Sequence, residues 1–177
     1  GVFTTEEIDR IAVLATQICD EELLELSDQP YFADRTADGQ VIPRKLDFPF
    51  LKHAGFRLFA LDERLRSLVE QLIGKPPLLV QDQIFMKPPR FGSAKPYHQD
   101  TAYFLLHPDD EALTAWIALD DVDEENGCLR YIDGSHKGGI LPHELIPGES
   151  YNQMPPPEMI DLEKESLALV RQGGVVF

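Results

Sequence analysis

The sequence predicts a mainly β fold, a barrel or sandwich with α-helices packed against its outside. Three observations carry this. Apolar residues recur at helical spacing only in about the first 75 residues. From residue 77 onward, short apolar stretches alternate with Gly, Pro and Asp/Asn turn signals. At 177 residues the chain has the length of one domain, without internal repeat or low-complexity tract. A single domain, 1–177, is therefore expected, helical over about 1–75 and β-rich over about 77–177.

The first helix is expected over residues 4–26, with Ile8, Ile11, Ala15 and Ile18 on one face. Thr4 and Glu7 have the spacing of a capping box. Residues 27–47 read as irregular, with Asp38-Gly39 as a turn. A second helix is expected over about 61–73, stopped by Gly74 and the following Pro76-Pro77. Residues 78–87 read as a strand, with Leu78, Val80, Ile84 and Met86 on one face and Gln81, Gln83 and Phe85 on the other. Further strands are expected at 97–105, 114–119, 128–132, 167–171 and 175–177. The acidic segment 120–127 reads as a hairpin loop, and 91–93, 134–139 and 147–157 as loops or turns.

Composition excludes several classes. The net charge is −15 and no basic stripe is present, which argues against a nucleic-acid partner. No apolar run reaches the ~20 residues that span a bilayer, so no membrane partner is expected. Cys19 and Cys128 lie far apart and outside any zinc-finger spacing, and are expected to be buried free thiols. With an opening segment, GVFTTEEIDR, that lacks the pattern of a secretion signal, they point to the cytoplasm.

Of the five histidines, His98 has the distinctive setting, Tyr97-His98-Gln99-Asp100-Thr101. On a strand, His98 and Asp100 would project to one face and Gln99 to the other. An imidazole beside a carboxylate supplies two corners of a 2-His-1-carboxylate facial triad, which suits Fe(II) because it leaves positions open. Taken alone, a His-x-Asp spacing is weak; a surface histidine beside a solvated aspartate reads the same.

The surroundings are more specific. Pro96-Tyr97-His98-Gln99-Asp100 is followed by Thr114-Ala115-Trp116-Ile117-Ala118-Leu119-Asp120-Asp121, then Glu125-Asn126-Gly127-Cys128-Leu129 and Gly134-Ser135-His136-Lys137. This ordered series resembles the phytanoyl-CoA dioxygenase family of Fe(II)- and 2-oxoglutarate-dependent oxygenases, over roughly residues 40–177. The resemblance implies a double-stranded β-helix, the cupin-like jelly roll. It implies His98 and Asp100 as catalytic metal ligands, and Lys45, Gln83, Thr101 and Trp116 as residues around 2-oxoglutarate. Arg44 competes with Lys45 for that register, and Trp116 can equally be a core aromatic. His136 reads as a turn or pocket-edge residue rather than a ligand.

The implied reaction is hydroxylation of a small organic substrate with O2, releasing succinate and CO2. Related halogenases replace the carboxylate ligand with a small residue, so Asp100 favours a hydroxylase. The family's distal histidine and a 2-oxoglutarate-gripping arginine are expected after Phe177, where this sequence stops; the jelly roll is thus expected to be incomplete at its C-terminus. Two alternatives stand beside this reading: an inactive jelly-roll binding protein of the same family, and a cupin-like enzyme using another divalent ion. The segments 107–111 and 147–157 are the expected specificity loops, but they carry no substrate signature.

Overall fold

The computed structural model describes residues 1–26, 29, 31–90, 94–104, 106, 111–149 and 152–177. The first helix, α1 (Thr5–Leu26), starts as expected. The Thr4 N–H donates to Glu7 Oε2 at 2.8 Å, and the Glu7 N–H returns to Thr4 Oγ1 at 3.3 Å. Two orphan donors of the helix start are thereby satisfied. Ile8, Ile11, Ala15 and Cys19 form the buried stripe of α1.

The stretch read as irregular contains three short strands. β1 (Ala33–Arg35) and β2 (Val41–Pro43) pair antiparallel around the expected Asp38-Gly39 turn, where Gly39 has φ 87°. Strands of three residues are too short for a period of two to stand out in sequence. β3 (Lys45–Asp47) pairs with β4 (Gln83–Phe85), Lys45 opposite Phe85 and Asp47 opposite Gln83.

Between these two strands run α2 (Pro49–Lys52), α3 (Ala54–Ala60) and α4 (Glu63–Ile73). The helix expected from residue 61 begins at Glu63, because the Asp62 carboxylate caps it by accepting from the Arg64 N–H at 2.9 Å. It ends at Gly74, whose φ of 75° lets its N–H donate to the Glu70 carbonyl at 2.8 Å. The strand expected over 78–87 contracts to β4. Leu78, Leu79 and Val80 are exposed, and no strand pairs with them among the described residues.

The strand expected over 97–105 is replaced by a short helix, α5 (Asp100–Phe104). The described strands pair elsewhere, so this segment has no ladder to join. A carboxylate on the first residue also suits a helix start. Next come β5 (Trp116–Ile117), β6 (Leu129–Ile132), β7 (Glu144–Leu145), β8 (Gln153–Met154), β9 (Glu165–Ala168) and β10 (Val175–Val176). Their pairing is nested: β5 with β10, β6 with β9, β7 with β8, all antiparallel, with a single Val122–Val170 bridge between the first two pairs. Hence β5 and β6 do not form the hairpin expected across residues 120–127. The chain turns there, fixed by Asp123 and Asn126, and proceeds to a different partner. Five two-stranded ladders result among the described residues, with no closed barrel.

The helices lie against the strands. Ile11, Ala15 and Cys19 of α1 meet Leu46 of β3 and Phe56 of α3, with Ile84 and Met86 packed alongside. A second cluster joins Phe3, Ile8 and Leu65 to Ile117, Leu119 and Val175. Both cysteines are buried and unpaired, as expected. Burial pushes the Cys19 thiol up to about 11, with Glu22 and Asp20 adding to it.

Gly173 ties the second cluster to the strands. Its N–H donates to the Ala118 carbonyl at 2.9 Å, and its carbonyl accepts from the Val2 and Phe3 N–H groups at 2.9 and 3.1 Å. Its φ is 78°, and a Cβ there would collide with the Phe3 carbonyl oxygen, so only glycine fits.

Candidate metal centre

His98 lies in the loop before α5, and Asp100 is the first residue of that helix. The two side chains converge, but not by the strand alternation expected from sequence. The turn into α5 brings them together. His98 Nε2 lies 3.2 Å from Asp100 Oδ1. The other ring nitrogen, Nδ1, lies 2.8 Å from the Pro96 carbonyl oxygen. A carbonyl can only accept, so Nδ1 carries the proton, and in the neutral ring Nε2 presents a lone pair.

This arrangement leaves two acceptors facing one another. It is stable only with a second ring proton or a cation between them. Two ligand atoms at about 2.1 Å from one ion and at a right angle to each other stand about 3 Å apart. The observed separation therefore fits a shared divalent ion. Neutral imidazole nitrogen and carboxylate oxygen are donors that suit iron. Among the described residues, no group of three His, Cys, Asp or Glu side chains joins this pair.

The neighbours of Asp100 hold it ionised. When Nε2 also carries a proton, the hydrogen bond it donates lowers the Asp100 carboxyl below the ordinary carboxylate value, and the Thr114 hydroxyl and the Lys95 ammonium act in the same direction against burial. Thr114 donates directly to Asp100 Oδ2, leaving Oδ1 turned to His98. Gln99 is engaged with the segment that follows residue 138. Its side-chain amide donates to the Gly139 carbonyl at 2.9 Å and accepts from the Leu141 N–H at 2.7 Å. Its backbone N–H donates to His143 Nε2 at 3.0 Å. The segment 139–143 thus clamps the loop between the two candidate ligands.

The remaining site residues expected from sequence are placed as follows. Lys45 and Gln83 share one face of the β3–β4 ladder with Asp47 and Phe85, while Leu46 on the other face is fully buried. Lys45 is itself buried; its ammonium sits 2.8 Å from Asp47 Oδ1, bonds the Tyr31 hydroxyl and lies 4.0 Å from the Tyr31 ring centroid. Its neighbour Arg44 lies 3.9 Å from Asp34. Thr101 follows Asp100 in α5, and Trp116 opens β5 two residues beyond Thr114; both are half-buried. His136 is exposed in a 3₁₀ turn, Ser135–Gly138, in keeping with a turn role. His107 and the loop 107–110 lie outside the described residues, as do 91–93 and two residues of the 147–157 segment.

Sequence reading missed Lys95, Tyr103 and Asn152. The Lys95 ammonium donates to Asn152 Oδ1 at 2.6 Å and to the Tyr103 hydroxyl at 3.2 Å, and lies 4.5 Å from the Tyr103 ring centroid. The Tyr103 ring meets His98 edge-on at 5.1 Å between centroids. Burial lowers the Lys95 pKa, and the charges of Lys45 and Arg44 lower it further, while Asp100 and Glu149 oppose them. The available signals were a lysine three residues before His98 and an aromatic three residues after Asp100. Neither spacing has a meaning outside the folded loop.

A family model described as phytanoyl-CoA dioxygenase (PhyH) matches residues 1–177. The mouse (Mus musculus) protein named phytanoyl-CoA dioxygenase domain-containing protein 1 is 33% identical over 128 residues, 69% of this chain and 43% of its own length. The Bos taurus protein of the same name is 35% identical over 102 residues, 54% of this chain and 35% of its own length. The human (Homo sapiens) protein named phytanoyl-CoA dioxygenase, peroxisomal, is 37% identical over 92 residues, 50% of this chain and 27% of its own length. The chain therefore matches less than half the length of each of these relatives. No helix among the described residues is long and apolar enough to cross a membrane.

Proposed function

The chain belongs to the phytanoyl-CoA dioxygenase family of Fe(II)- and 2-oxoglutarate-dependent oxygenases, and we propose that residues 1–177 belong to an active hydroxylase of that kind. The observation that carries the proposal is the pair itself. His98 Nε2 and Asp100 Oδ1 face each other at 3.2 Å, while Nδ1 is committed to the Pro96 carbonyl. A hydrogen-bonded second nitrogen is the usual companion of a metal-ligating histidine. The nested pairing of β5 to β10 is what a long antiparallel hairpin gives when wound into a jelly roll, and it supports that fold.

His98 and Asp100 would hold Fe(II) and leave other positions to a further ligand, 2-oxoglutarate and O2. Iron, when bound, supplies the activation of O2 coupled to decarboxylation of 2-oxoglutarate to succinate and CO2. The protein does the rest. Thr114 fixes the Asp100 carboxylate, and Gln99 and His143 fix the loop that carries His98. Lys45 and Gln83 offer a cation and an amide on one sheet face for 2-oxoglutarate, with Trp116 and Thr101 as further lining. Lys45 must exchange its Asp47 partner for the co-substrate carboxylate to serve in this way. With Asp100 as a ligand, its carboxylate would take the place a halide would need, so hydroxylation is the expected outcome. Buried, unpaired Cys19 and Cys128 suit a reducing compartment such as the cytoplasm.

Anaerobic titration of the full-length protein with Fe(II), followed by succinate release from 2-oxoglutarate, tests this. One equivalent of Fe(II) bound and succinate formed is the expected result, with both lost in Asp100→Ala. Unchanged succinate release in Asp100→Ala would falsify the ligand assignment. Absence of both Fe(II) binding and turnover in the natural protein would favour an inactive binding member of the family.

A further inference from the structure

Lys95 is not accounted for by the metal pair or by the co-substrate residues. It is half-buried, and among the described residues no carboxylate lies within ion-pair distance of its ammonium. Lys87 and Lys137 also lack one among the described residues, but both are exposed, whereas the buried Lys45 has Asp47. A half-buried ammonium loses hydration, and the common remedy is a carboxylate partner. Here the partners are neutral, the Asn152 side-chain oxygen and the Tyr103 hydroxyl.

Those partners are themselves locked. The Tyr103 hydroxyl donates to the Gln153 carbonyl and accepts from the Gln153 N–H, both at 2.9 Å. The Asn152 amide nitrogen donates to Glu149, and Asn152 is 4% exposed. Among the described residues two of the three ammonium N–H groups are used, and one remains. Lys45 and Arg44 add positive charge nearby, opposed by the more remote carboxylates of Asp100 and Glu149, neither within ion-pair distance. The Tyr103 ring meets both this ammonium, 4.5 Å from its centroid, and the His98 ring at 5.1 Å, and the Lys95 charge acts on Asp100.

We propose that Lys95, held by Asn152 and Tyr103, anchors a carboxylate of the organic substrate beside the His98–Asp100 pair. This rests on the oxygenase reading for the word substrate, but the anchor itself is a binding site that can be tested without turnover. An arriving carboxylate takes the remaining N–H and pairs the ammonium directly, a charge-assisted bond stronger than the neutral ones now present. The substrate class is then a small molecule with a free carboxylate rather than a neutral one. Asn152 and Tyr103 are positioning residues in this arrangement.

The test is ligand-observed NMR titration of the metal-free full-length protein with hexanoate and, as the neutral match, hexanamide. Hexanoate is expected to bind at least about 10-fold more tightly than hexanamide, the margin of one charge-assisted hydrogen bond. Lys95→Met should remove that preference and Lys95→Arg should keep it. Asn152→Asp, which seats a carboxylate against the ammonium, should remove it as well. If Lys95→Met does not fold, Asn152→Asp carries the test, since it changes no volume.

No preference for hexanoate in the natural protein overturns the proposal. So does a preference that survives both Lys95→Met and Asn152→Asp. A Lys95→Met protein that loses affinity for 2-oxoglutarate as much as for hexanoate also overturns it, because Lys95 then serves the co-substrate. A natural protein that prefers hexanoate through Lys95 yet never releases succinate sinks the oxygenase reading and leaves the anchor standing.

Discussion

Before residue 73 the buried apolar residues include Phe3, Ile8, Ile11, Leu46, Phe56 and Leu65; beyond it, among the described residues, they are Ala118, Cys128 and Ala168. The helical layer and the β3 strand it covers are thus held by burial of large side chains. The segment from residue 94 onward is held by two- and four-residue ladders and by polar pins: Thr114 on Asp100, Gln99 on the 139–143 segment, and Lys95 on Asn152. The candidate site lies wholly in the second kind of structure, apart from Lys45 and Gln83. Polar pins fix direction better than they fix stability, since a typical hydrogen bond contributes only about 1 kcal/mol net. The two regions should therefore respond differently to substitution: the first in folding, the second in ligand geometry.

The largest effect is expected at Leu46, which is 0% exposed between α1, α3 and β4. Leu46→Ala should lower unfolding free energy by about 2–5 kcal/mol in a urea titration. A loss under about 1 kcal/mol would mean the helical layer is not the scaffold. Thr114→Val should do the reverse. It removes the hydroxyl on Asp100 Oδ2 and is expected to weaken Fe(II) binding about 10- to 100-fold, with the unfolding midpoint nearly unchanged. Equal losses in both assays would erase the distinction between the regions.

Smaller still is the helix start. Thr4→Ala breaks the capping box and should cost about 1 kcal/mol by the same urea titration. The smallest effect concerns acid. The Arg64 guanidinium, aided by Thr4, holds Glu7 at about 2 instead of 4.5. A depressed carboxyl pKa contributes stability that is present above pH 4.5 and is lost as pH falls toward about 2. Glu7→Gln should flatten that part of the acid limb of the stability curve. Because the pair is exposed, the change should shrink further in high salt.

What could be read in the sequence follows the same division. The capping box at Thr4, the stop at Gly74, the buried face of α1 and the Asp38-Gly39 turn were legible because each depends on a few adjacent residues. Gln83 was placed on the correct face by its period of two. The approach of His98 and Asp100 was expected along a strand, but the pair converges through a helix start. Thr114, Asn152 and His143 reach the site from 14 to 57 residues away in sequence, and nothing local marks them. The hairpin expected at residues 120–127 failed for a related reason. A turn signal shows that the chain reverses, but not which strand it meets next.

The nested pairing has a consequence for the order in which the chain can fold. Leu145 and Gln153 close a loop of a few residues, Leu129 and Ala168 a longer one, and Ile117 and Val175 the longest. Closing the inner rung first shortens the free chain that each outer rung has to span, so the entropy cost is met in small steps. The ladder should therefore zip from its tip toward its ends, with amides near Leu145 protected from hydrogen exchange before those of Val122 and Val170. The contact of Phe3 with Gly173 would then be the last to form, a latch set after the strands it closes upon.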